Sequence, residues 1–219
     1  MEFKDYKIEE FINDLASPLP SPGGGSVAGL IAALSGSLNS MVYSLTVNKK
    51  SFEKLDCDTK KVVLDFKEAS TRFIKKTLIL MEKDREYFNK LMDFYKLPQN
   101  TEEEKEKRNK LITEGTLMAM KSPQELAIEA YKFYDNIDVA VKYGNRMLIS
   151  DAGCAAILLH AAIESSIVNV KVNLNSLRQK PFSKGVEEEM EGLEVKSLSR
   201  KNEICKIMNS IIYPLEEEN

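Results

Sequence analysis

The chain has 219 residues, of which 30% are charged and 43% hydrophobic, and its formal net charge is −3. This length fits one domain with a substantial core, and the slightly acidic balance argues against a general nucleic-acid or acidic-membrane binder. The three cysteines lack C-x-x-C spacing, so they indicate reduced thiols and argue against a disulfide framework or a zinc site.

The first residues, MEFKDYKIEEF, lack the basic region and the apolar run of a signal peptide. We therefore expect a cytoplasmic protein. A short amphipathic helix is predicted at about residues 8–15. No later segment alternates apolar and polar residues for long enough to predict a β-strand.

A glycine turn, Pro22 to Ser26, opens a stretch that has no charged residue between Asp14 and Lys49. Bare glycine backbone allows close approach to a ligand, and the first turn of a helix offers unpaired N–H groups to an anion. The turn is neither a Walker loop nor a dinucleotide fingerprint, because it lacks G-K-[ST], G-x-G-x-x-G and a preceding strand. The turn therefore predicts a binding site set against a packed helical core.

The helix behind this turn is predicted at about residues 26–46 and is expected to be buried almost all round. Its large apolar residues recur at steps of three and four, and another face carries only small residues. The small residues are Gly29, Ala33, Gly36, Ser40 and Ser44. They let a second helix approach closely, within one chain or between two, so we place this helix at the centre of a bundle or dimer. Interrupting serines argue against a membrane span.

Lys49 and Lys50 follow the end of this uncharged helix. Cations suit the negative end of the helix dipole there. Two interpretations stay open: the lysines are simply solvated, or they hold a carboxylate group of a ligand.

A third helix is predicted at about residues 58–96, ended by Leu97-Pro98 because the residue before proline avoids helical dihedral angles. One of its faces is lined at steps of three and four by Phe66, Ala69, Phe73, Thr77, Leu80, Asp84, Tyr87 and Leu91. Asp84 is the only charged residue on this face. Burial would raise its pKa towards the range useful for acid–base chemistry. Alternatively, Asp84 lies at the wet edge of the face and pairs with a lysine.

The fourth helix is predicted to start at Thr101, which forms a capping-box pattern with Glu104. Ser122-Pro123 repeats a helix-start pattern, so we expect the helix to break or restart there. Gly144 is predicted to end it.

A fifth helix is predicted from about Ser150 to Gln179, then a loop around Pro181 and Gly185, and a final helix towards Tyr213. Together the elements predict an all-α protein, a multi-helix bundle with long central helices, in a single domain over residues 1–219.

Beside its core face, the fifth helix carries a row of small and amide side chains. The row consists of Asp151, Ala155, Ala162, Ser165, Asn169 and Asn173. It either lines a polar pocket or faces solvent, and Asp151 equally suits a helix start. His160 is the only histidine, which argues against a multi-histidine metal site, and a packed, hydrogen-bonded role is expected for it.

These residues together resemble the formiminotetrahydrofolate cyclodeaminase and methenyltetrahydrofolate cyclohydrolase family. The likeness rests on Ser21-Pro22-Gly23-Gly24-Gly25-Ser26-Val27-Ala28, Met41-Val42, Leu45-Thr46, Asp84 with Phe88, Lys96-Leu97-Pro98, Thr101, Glu103-Glu104, Pro123, Gly144-Asn145, Ser150-Asp151, Asn169-Val170 and Asn173-Leu174. These matches follow one another in order over roughly residues 5–180, which makes the resemblance specific.

The resemblance implies a cytoplasmic, all-helical and usually dimeric folate enzyme that needs no metal and no cofactor besides its tetrahydrofolate substrate. It implies that Asp84 is the acid–base carboxylate. It also places the folate pocket at Gly23, Gly24, Gly25, Ser26, Asn145, Asp151, Asn169 and Asn173. Lys49 and Lys50 would bind the anionic tail of the folate, which carries one or several glutamates.

The expected reaction converts 5-formiminotetrahydrofolate to 5,10-methenyltetrahydrofolate and releases ammonia. The alternative is a cyclohydrolase that converts 5,10-methenyl- to 10-formyltetrahydrofolate. A third interpretation is a non-catalytic folate-binding or helical interaction module. The aspartate at position 84 favours catalysis over this third interpretation, because asparagine or alanine there would have favoured a silent protein.

Overall fold

The structure, a computed structural model, describes residues 1–214, which form an all-α bundle without β-strands, as predicted. Its seven α-helices, α1 to α7, span Ile8–Leu15, Gly24–Ser44, Lys50–Glu53, Cys57–Tyr95, Glu102–Tyr143, Ile149–Asn175 and Ser183–Ile212, with 3₁₀ turns at Phe3–Asp5 and Arg146–Leu148. The two longest helices, α4 and α5, have 39 and 42 residues. At about 1.5 Å per residue, each is roughly 60 Å long.

The small-residue face of α2 packs within the chain, against α4. A Cβ atom on Gly29 would lie 2.8 Å from Cβ of Met81, and one on Gly36 would lie 2.9 Å from the ring of Phe73. Glycine therefore lets the two helices approach more closely than any other residue would. The close helix contact predicted from the small-residue face lies between two helices of one chain.

The opposite face of α2 carries large apolar side chains that other parts of the chain leave exposed. Leu34 is 49% exposed, and Met41 and Leu45 are exposed to a similar degree. The prediction that α2 is buried almost all round is therefore wrong for the isolated chain. Helices α4 and α6 pack against α2 and bury its small residues, whereas Leu34, Met41 and Leu45 on its third side stay exposed.

Helix α2 and the segment Arg146–Asn175 are each long and apolar enough to cross a membrane, judged by length and composition. The bundle buries 56% of the apolar window in the first and 50% in the second. Such partial burial is typical of the core helices of a bundle.

Helix α5 runs unbroken through Pro123, so the predicted break at Ser122-Pro123 is wrong. Pro123 lacks the N–H that would donate to the carbonyl of Ala119. Tertiary contacts hold the helix together here, because both residues are buried and Ser122 Oγ donates to the carbonyl of Leu80 on α4 at 3.0 Å. The predicted start is confirmed, since Thr101 and Glu104 form a capping box.

The loop before α7 lies earlier in the chain than predicted, because α6 ends at Asn175 and not near Gln179. Gly185 was expected in this loop, but α7 begins at Ser183 and Gly185 lies in its first turn. The Ser183 hydroxyl donates to the carbonyl of Leu177 at 2.5 Å. This bond joins the two ends of the segment between α6 and α7, and α7 begins at Ser183, before Gly185.

Asn136 on α5 joins three helices through its buried side chain. Its Oδ1 accepts from Asn39 Nδ2 of α2 at 2.7 Å and from Ser70 Oγ of α4 at 3.1 Å, and its Nδ2 donates to the carbonyl of Phe66 at 2.9 Å. These bonds fix the lateral positions of α2, α4 and α5, since slippage would leave buried polar groups unpaired.

We expect Asn136→Leu to lower the free energy of unfolding by about 3 kcal/mol, because it leaves the buried amide donor of Asn39 without an acceptor and removes the bonds to Ser70 and Phe66. Urea denaturation would measure the loss. Asn109→Leu, at an exposed position of the same helix, is the control and should change stability by no more than about 0.5 kcal/mol. Equal stability of the two variants would show that the network does not support the bundle.

Candidate active site

A small pocket of about 120 Å³ lies where the first turn of α2 meets α4 and the later part of α6. It is lined by Pro20, Ser21, Gly23, Gly24, Gly25, Ser26, Asp84, Arg85, Phe88, Ala119, Asn169 and Asn173. The pocket thus brings together seven of the residues predicted from the sequence, which come from three separate helices of the chain and the turn before α2.

Gly25 is required for the close approach of α2 to the carboxyl group of Asp84. A Cβ atom at position 25 would overlap Cγ and both carboxyl oxygens of Asp84. At Gly24, a Cβ would lie 3.3 Å from Nδ2 of Asn169. At Gly23, by contrast, no atom lies within 4 Å of the place that a Cβ would occupy. The absence of side chains at Gly24 and Gly25 therefore allows the side chains of Asp84 and Asn169 to pack directly against the start of α2.

The start of α2 also leaves backbone donors beside this carboxyl group. The first hydrogen bond of the helix runs from Val27 N–H to the carbonyl of Gly23. The N–H groups of Gly24, Gly25 and Ser26 precede that bond, as at any helix N-terminus. The pocket therefore combines a carboxyl group with donors suited to an electron-rich atom of a ligand.

Burial raises the pKa of the Asp84 carboxyl to about 6, from an ordinary value of 3.8. The Ser26 hydroxyl, which donates to Asp84 Oδ2 at 3.3 Å, acts in the opposite direction and lowers this pKa. No lysine acts on the group, so the alternative in which Asp84 pairs with a lysine at a wet edge is wrong. A carboxyl with a pKa near 6 can both donate and accept a proton close to neutral pH.

The two asparagines of α6 face the pocket with their side-chain nitrogens already bonded to their own helix. Asn169 Nδ2 donates to the carbonyl of Ser165 at 2.8 Å, and Asn173 Nδ2 donates to the carbonyl of Asn169 at 2.9 Å. These bonds orient the amides and leave their oxygens as hydrogen-bond acceptors. The polar row predicted on this helix lines a pocket where it carries Asn169 and Asn173.

Five residues of the pocket lining were not predicted from the sequence: Pro20, Ser21, Arg85, Phe88 and Ala119. Phe88 follows Asp84 by four residues, so helical spacing alone could have placed it on the same face. Arg85 points towards the N-terminal segment: its guanidinium pairs with Glu82 at 2.8 Å and lies 4.4 Å from the ring centre of Phe3. It therefore does not neutralise Asp84. The orientation of Arg85 towards Glu82 and Phe3 could not be predicted from the sequence.

Four other predicted site residues lie at the opposite end of α2, near its C-terminus. Lys49 and Lys50 follow the helix and are exposed, and the Asn145 N–H donates to Thr46 Oγ1 at 2.8 Å. Asp151 lies in the first turn of α6, which runs antiparallel to α2. Because α2 has 21 residues, this end is about 30 Å from the pocket. One chain does not bring these four residues to Asp84.

His160 has the packed, hydrogen-bonded role that was expected. It is 9% exposed, its Nδ1 lies 2.8 Å from Ser197 Oγ of α7, and it is absent from the pocket lining. Among residues 1–214, no three His, Cys, Asp or Glu side chains are grouped as metal ligands would be.

The formiminotransferase-cyclodeaminase family model matches residues 7–192 of the chain. Methenyltetrahydrofolate cyclohydrolase of Methylorubrum extorquens is 34% identical over 187 residues, which cover 85% of this chain and 88% of that protein. Formimidoyltransferase-cyclodeaminase of Rattus norvegicus is 29% identical over 178 residues, 81% of this chain and only 32% of the rat protein.

A solved structure also matches the fold. The crystal structure of formiminotetrahydrofolate cyclodeaminase from Thermotoga maritima superposes with a TM-score of 0.83 at 27% sequence identity. The match covers 97% of this chain and 100% of that chain. The similarity therefore includes α7, which lies mostly beyond the residues that the family model matches.

Proposed function

The chain belongs to the formiminotransferase-cyclodeaminase family, and we propose that it converts 5-formiminotetrahydrofolate to 5,10-methenyltetrahydrofolate with release of ammonia. The observation that carries this proposal is Asp84, whose carboxyl group has a pKa raised to about 6 and lies against the open helix start at Gly25. Proton transfer to a departing nitrogen needs such a group near neutral pH.

In the proposed reaction, N10 of the folate attacks the formimino carbon that N5 carries, and a new carbon–nitrogen bond closes the five-membered ring. The former imino nitrogen becomes an amine, and its bond to carbon breaks. Asp84 in its protonated form gives its proton to this departing nitrogen and recovers one from N10. The formimino group enters the reaction protonated, as a cationic amidinium, so ammonia, the cationic methenyl group and re-protonated Asp84 as products balance both protons and charge.

The pocket's other polar groups suit the pterin end of the substrate. The amide oxygens of Asn169 and Asn173 accept hydrogen bonds, and the pterin ring offers amino and ring N–H donors. The ring of Phe88 supplies an apolar wall beside them. The reacting carbon would then lie beside Asp84 at the mouth of the glycine turn.

The first test is ammonia release from 5-formiminotetrahydrofolate by the purified protein. We expect steady release with turnover, accompanied by the absorbance of the methenyl product. Release no faster than in protein-free buffer would contradict the proposed reaction.

A cyclohydrolase reaction is the second candidate, and one observation favours it. The relative matched over nearly its whole length, from Methylorubrum extorquens, carries that name. In this reaction water attacks the methenyl carbon, and Asp84 in its ionised form would accept a proton from that water. Hydrolysis of methenyltetrahydrofolate without ammonia release would favour this reaction. Folate binding without either reaction would favour a non-catalytic module.

Ser26→Ala is expected to move the pH midpoint of kcat/KM to higher pH, by about 0.3 pH units. The variant removes the hydrogen bond that lowers the pKa of Asp84, so the carboxyl should stay protonated to higher pH. A pH–rate profile measures the shift. Ser21→Ala, another pocket serine that does not bond to Asp84, should keep the wild-type midpoint. Identical profiles for all three proteins would remove Ser26 from the mechanism.

A further inference from the structure

Arg85 brings a second charge to the pocket that holds Asp84. Among the described residues that line this pocket, only Asp84 and Arg85 are charged. The two follow one another on α4, so their side chains leave the helix about 100° apart. An arginine side chain has enough rotamer freedom to cover that angle. A guanidinium within about 4–6 Å would favour the ionised form of Asp84, so the proposed proton transfer requires Arg85 to point elsewhere.

Three groups hold the guanidinium of Arg85 outside the pocket. Its Nη2 pairs with the carboxylate of Glu82 at 2.8 Å, and its Nη1 donates to the carbonyl of Met1 at 3.1 Å. The ring of Phe3 lies against the guanidinium, with 4.4 Å between Cζ of Arg85 and the ring centre. The side chains of Arg85 and Glu82 are only 25% and 15% exposed, so solvent ions screen this pair less than a surface pair.

The N-terminal segment is itself anchored to α4 just before Asp84. Phe3 is buried, and its ring packs edge-on against those of Tyr6 and Phe11, with centres 5.4 and 5.5 Å apart. The same cluster includes Met81 of α4. The Phe3 N–H donates to Oε1 of Glu82. Glu82 therefore joins the segment to Arg85, since one of its oxygens accepts from the segment and the other pairs with the guanidinium.

The surroundings of the two residues differ in charge. The residues that line the pocket from α2, α5 and α6 are uncharged, and they include Ser26, Ala119, Asn169 and Asn173. Arg85 also borders a groove whose other charged or titratable residues are Glu2, Tyr6, Asp14, Glu82, Glu86, Lys90 and Asp93. Five of these are carboxylates, so the field of the groove draws the guanidinium away from the pocket. Within residues 1–214, Glu82 is the only one that pairs with Arg85.

We propose that Glu82 and Phe3 are positioning residues that hold the guanidinium of Arg85 in this groove, so that Asp84 has no cationic partner in its pocket. Glu82 supplies the opposite charge and Phe3 the flat surface on which the guanidinium lies. The inference rests on the proposed function, because it concerns the group that is proposed to transfer the proton. The position of Arg85, however, is a property of the protein without substrate.

Glu82→Gln tests the proposal through the pH dependence of kcat/KM. Glutamine keeps the size of the side chain and can accept from the Phe3 N–H, but it cannot hold the guanidinium as an ion pair. We expect the midpoint to fall by about 0.5 pH units, because the released guanidinium favours ionised Asp84. For a reaction that uses protonated Asp84, kcat/KM at pH 7.5 then falls about threefold. The midpoint moves in the same direction if ionised Asp84 is the active form.

Glu86→Gln is the matched control. It removes the same charge from the same groove, and position 86 is also two residues from Asp84, but Glu86 does not pair with Arg85 within the described chain. Its midpoint should equal that of the wild type. Equal shifts in Glu82→Gln and Glu86→Gln, or no shift in Glu82→Gln, would overturn the proposal.

Removal of the guanidinium separates movement of Arg85 from a direct effect of the Glu82 charge. In a protein that already carries Arg85→Gln, the further change Glu82→Gln should move the midpoint by less than about 0.2 pH units. A fall of about 0.5 pH units in this background would show that Glu82 acts on Asp84 directly, and the proposal would be overturned. A merely structural role of the ion pair would not produce this dependence on Arg85.

Phe3→Leu tests the second positioning residue. Leucine keeps an apolar side chain in the cluster but removes the ring that lies against the guanidinium. We expect the midpoint to fall by about 0.3 pH units. Phe11→Leu is the control, because Phe11 belongs to the same cluster and is buried to a similar degree. A shift in Phe11→Leu as large as that in Phe3→Leu would overturn the role of Phe3.

Failure of the proposed function would give a different result. If the wild-type protein turns over neither folate substrate, an NMR titration of the Asp84 carboxyl carbon in the free protein gives the midpoint instead. The signal is assigned by its loss in Asp84→Asn. A lower midpoint in Glu82→Gln than in the wild type and Glu86→Gln would support the proposal without the reaction. Equal titration curves for the three proteins would overturn it.

Discussion

Asp84→Asn is expected to reduce turnover of the folate substrate by at least about 100-fold while changing its dissociation constant by less than about threefold. The amide keeps the size and the hydrogen bond to Ser26 but cannot transfer a proton, and general acid–base catalysis contributes about this factor. Steady-state kinetics and equilibrium binding measure the two effects. Glu86→Gln, two residues away on an exposed part of α4, is the control and should keep wild-type turnover.

The same variant should be more stable than the wild type at pH 8. Because the pKa of Asp84 is raised in the folded state from 3.8 to about 6, ionisation opposes folding, and stability is lost as pH rises through this window. Removal of the charge should raise the free energy of unfolding by about 2 kcal/mol at pH 8 and by much less at pH 4. A variant that keeps full turnover would remove Asp84 from the mechanism, whatever its stability.

Gly25→Ala is expected to lower turnover about as far as loss of the carboxylate does. The added Cβ would overlap the carboxyl group of Asp84, and the helix backbone that carries it cannot retreat without breaking contacts with α4. Asp84 must therefore rotate away from the helix start, which separates the proton from the reacting nitrogen. Enzymes lose large factors in rate when a catalytic group shifts by about 1 Å.

Gly23→Ala is the matched control for this prediction. Position 23 lies in the same turn, has an extended backbone and leaves free space around a Cβ, so alanine fits there. We expect turnover within about twofold of wild type for Gly23→Ala and a loss of about 100-fold for Gly25→Ala. If both variants lose activity equally, the glycines act through the flexibility of the turn and not by allowing the Asp84 carboxyl group to pack against Gly25.

The sequence predicted those features that depend on residues close together in the chain, namely the helix ends and the carboxylate on an apolar helix face. The capping residues Thr101 and Glu104 and the proline after Leu97 placed helix ends to within about two residues. Asp84 could be singled out because one carboxylate interrupts an apolar face. Pro123 misled the prediction, since packing against the neighbouring helices holds a helix that an isolated peptide would break.

The arrangement of the candidate site depends on which way the helices run, and the sequence does not encode this locally. Asn169 joins Asp84 because α6 is antiparallel to α2, and Asp151, about 27 Å from Asn169 at the start of the same helix, therefore lies away from the pocket. The apolar pattern of α2 correctly predicted a helix with a large apolar face. However, such a pattern cannot say whether that face meets its own chain or another. The exposure of Leu34 could therefore be recognised only from the structure.

The most direct test of the central claim, that the Asp84 carboxyl transfers the proton, is the pH dependence of kcat/KM for ammonia release. A group that must be protonated and has a pKa near 6 predicts a rate that falls about tenfold per pH unit above this value in the wild type. Asp84→Asn should show a low rate without this fall. A profile that is flat between about pH 5 and 8, or a fall that persists in the variant, would contradict the account.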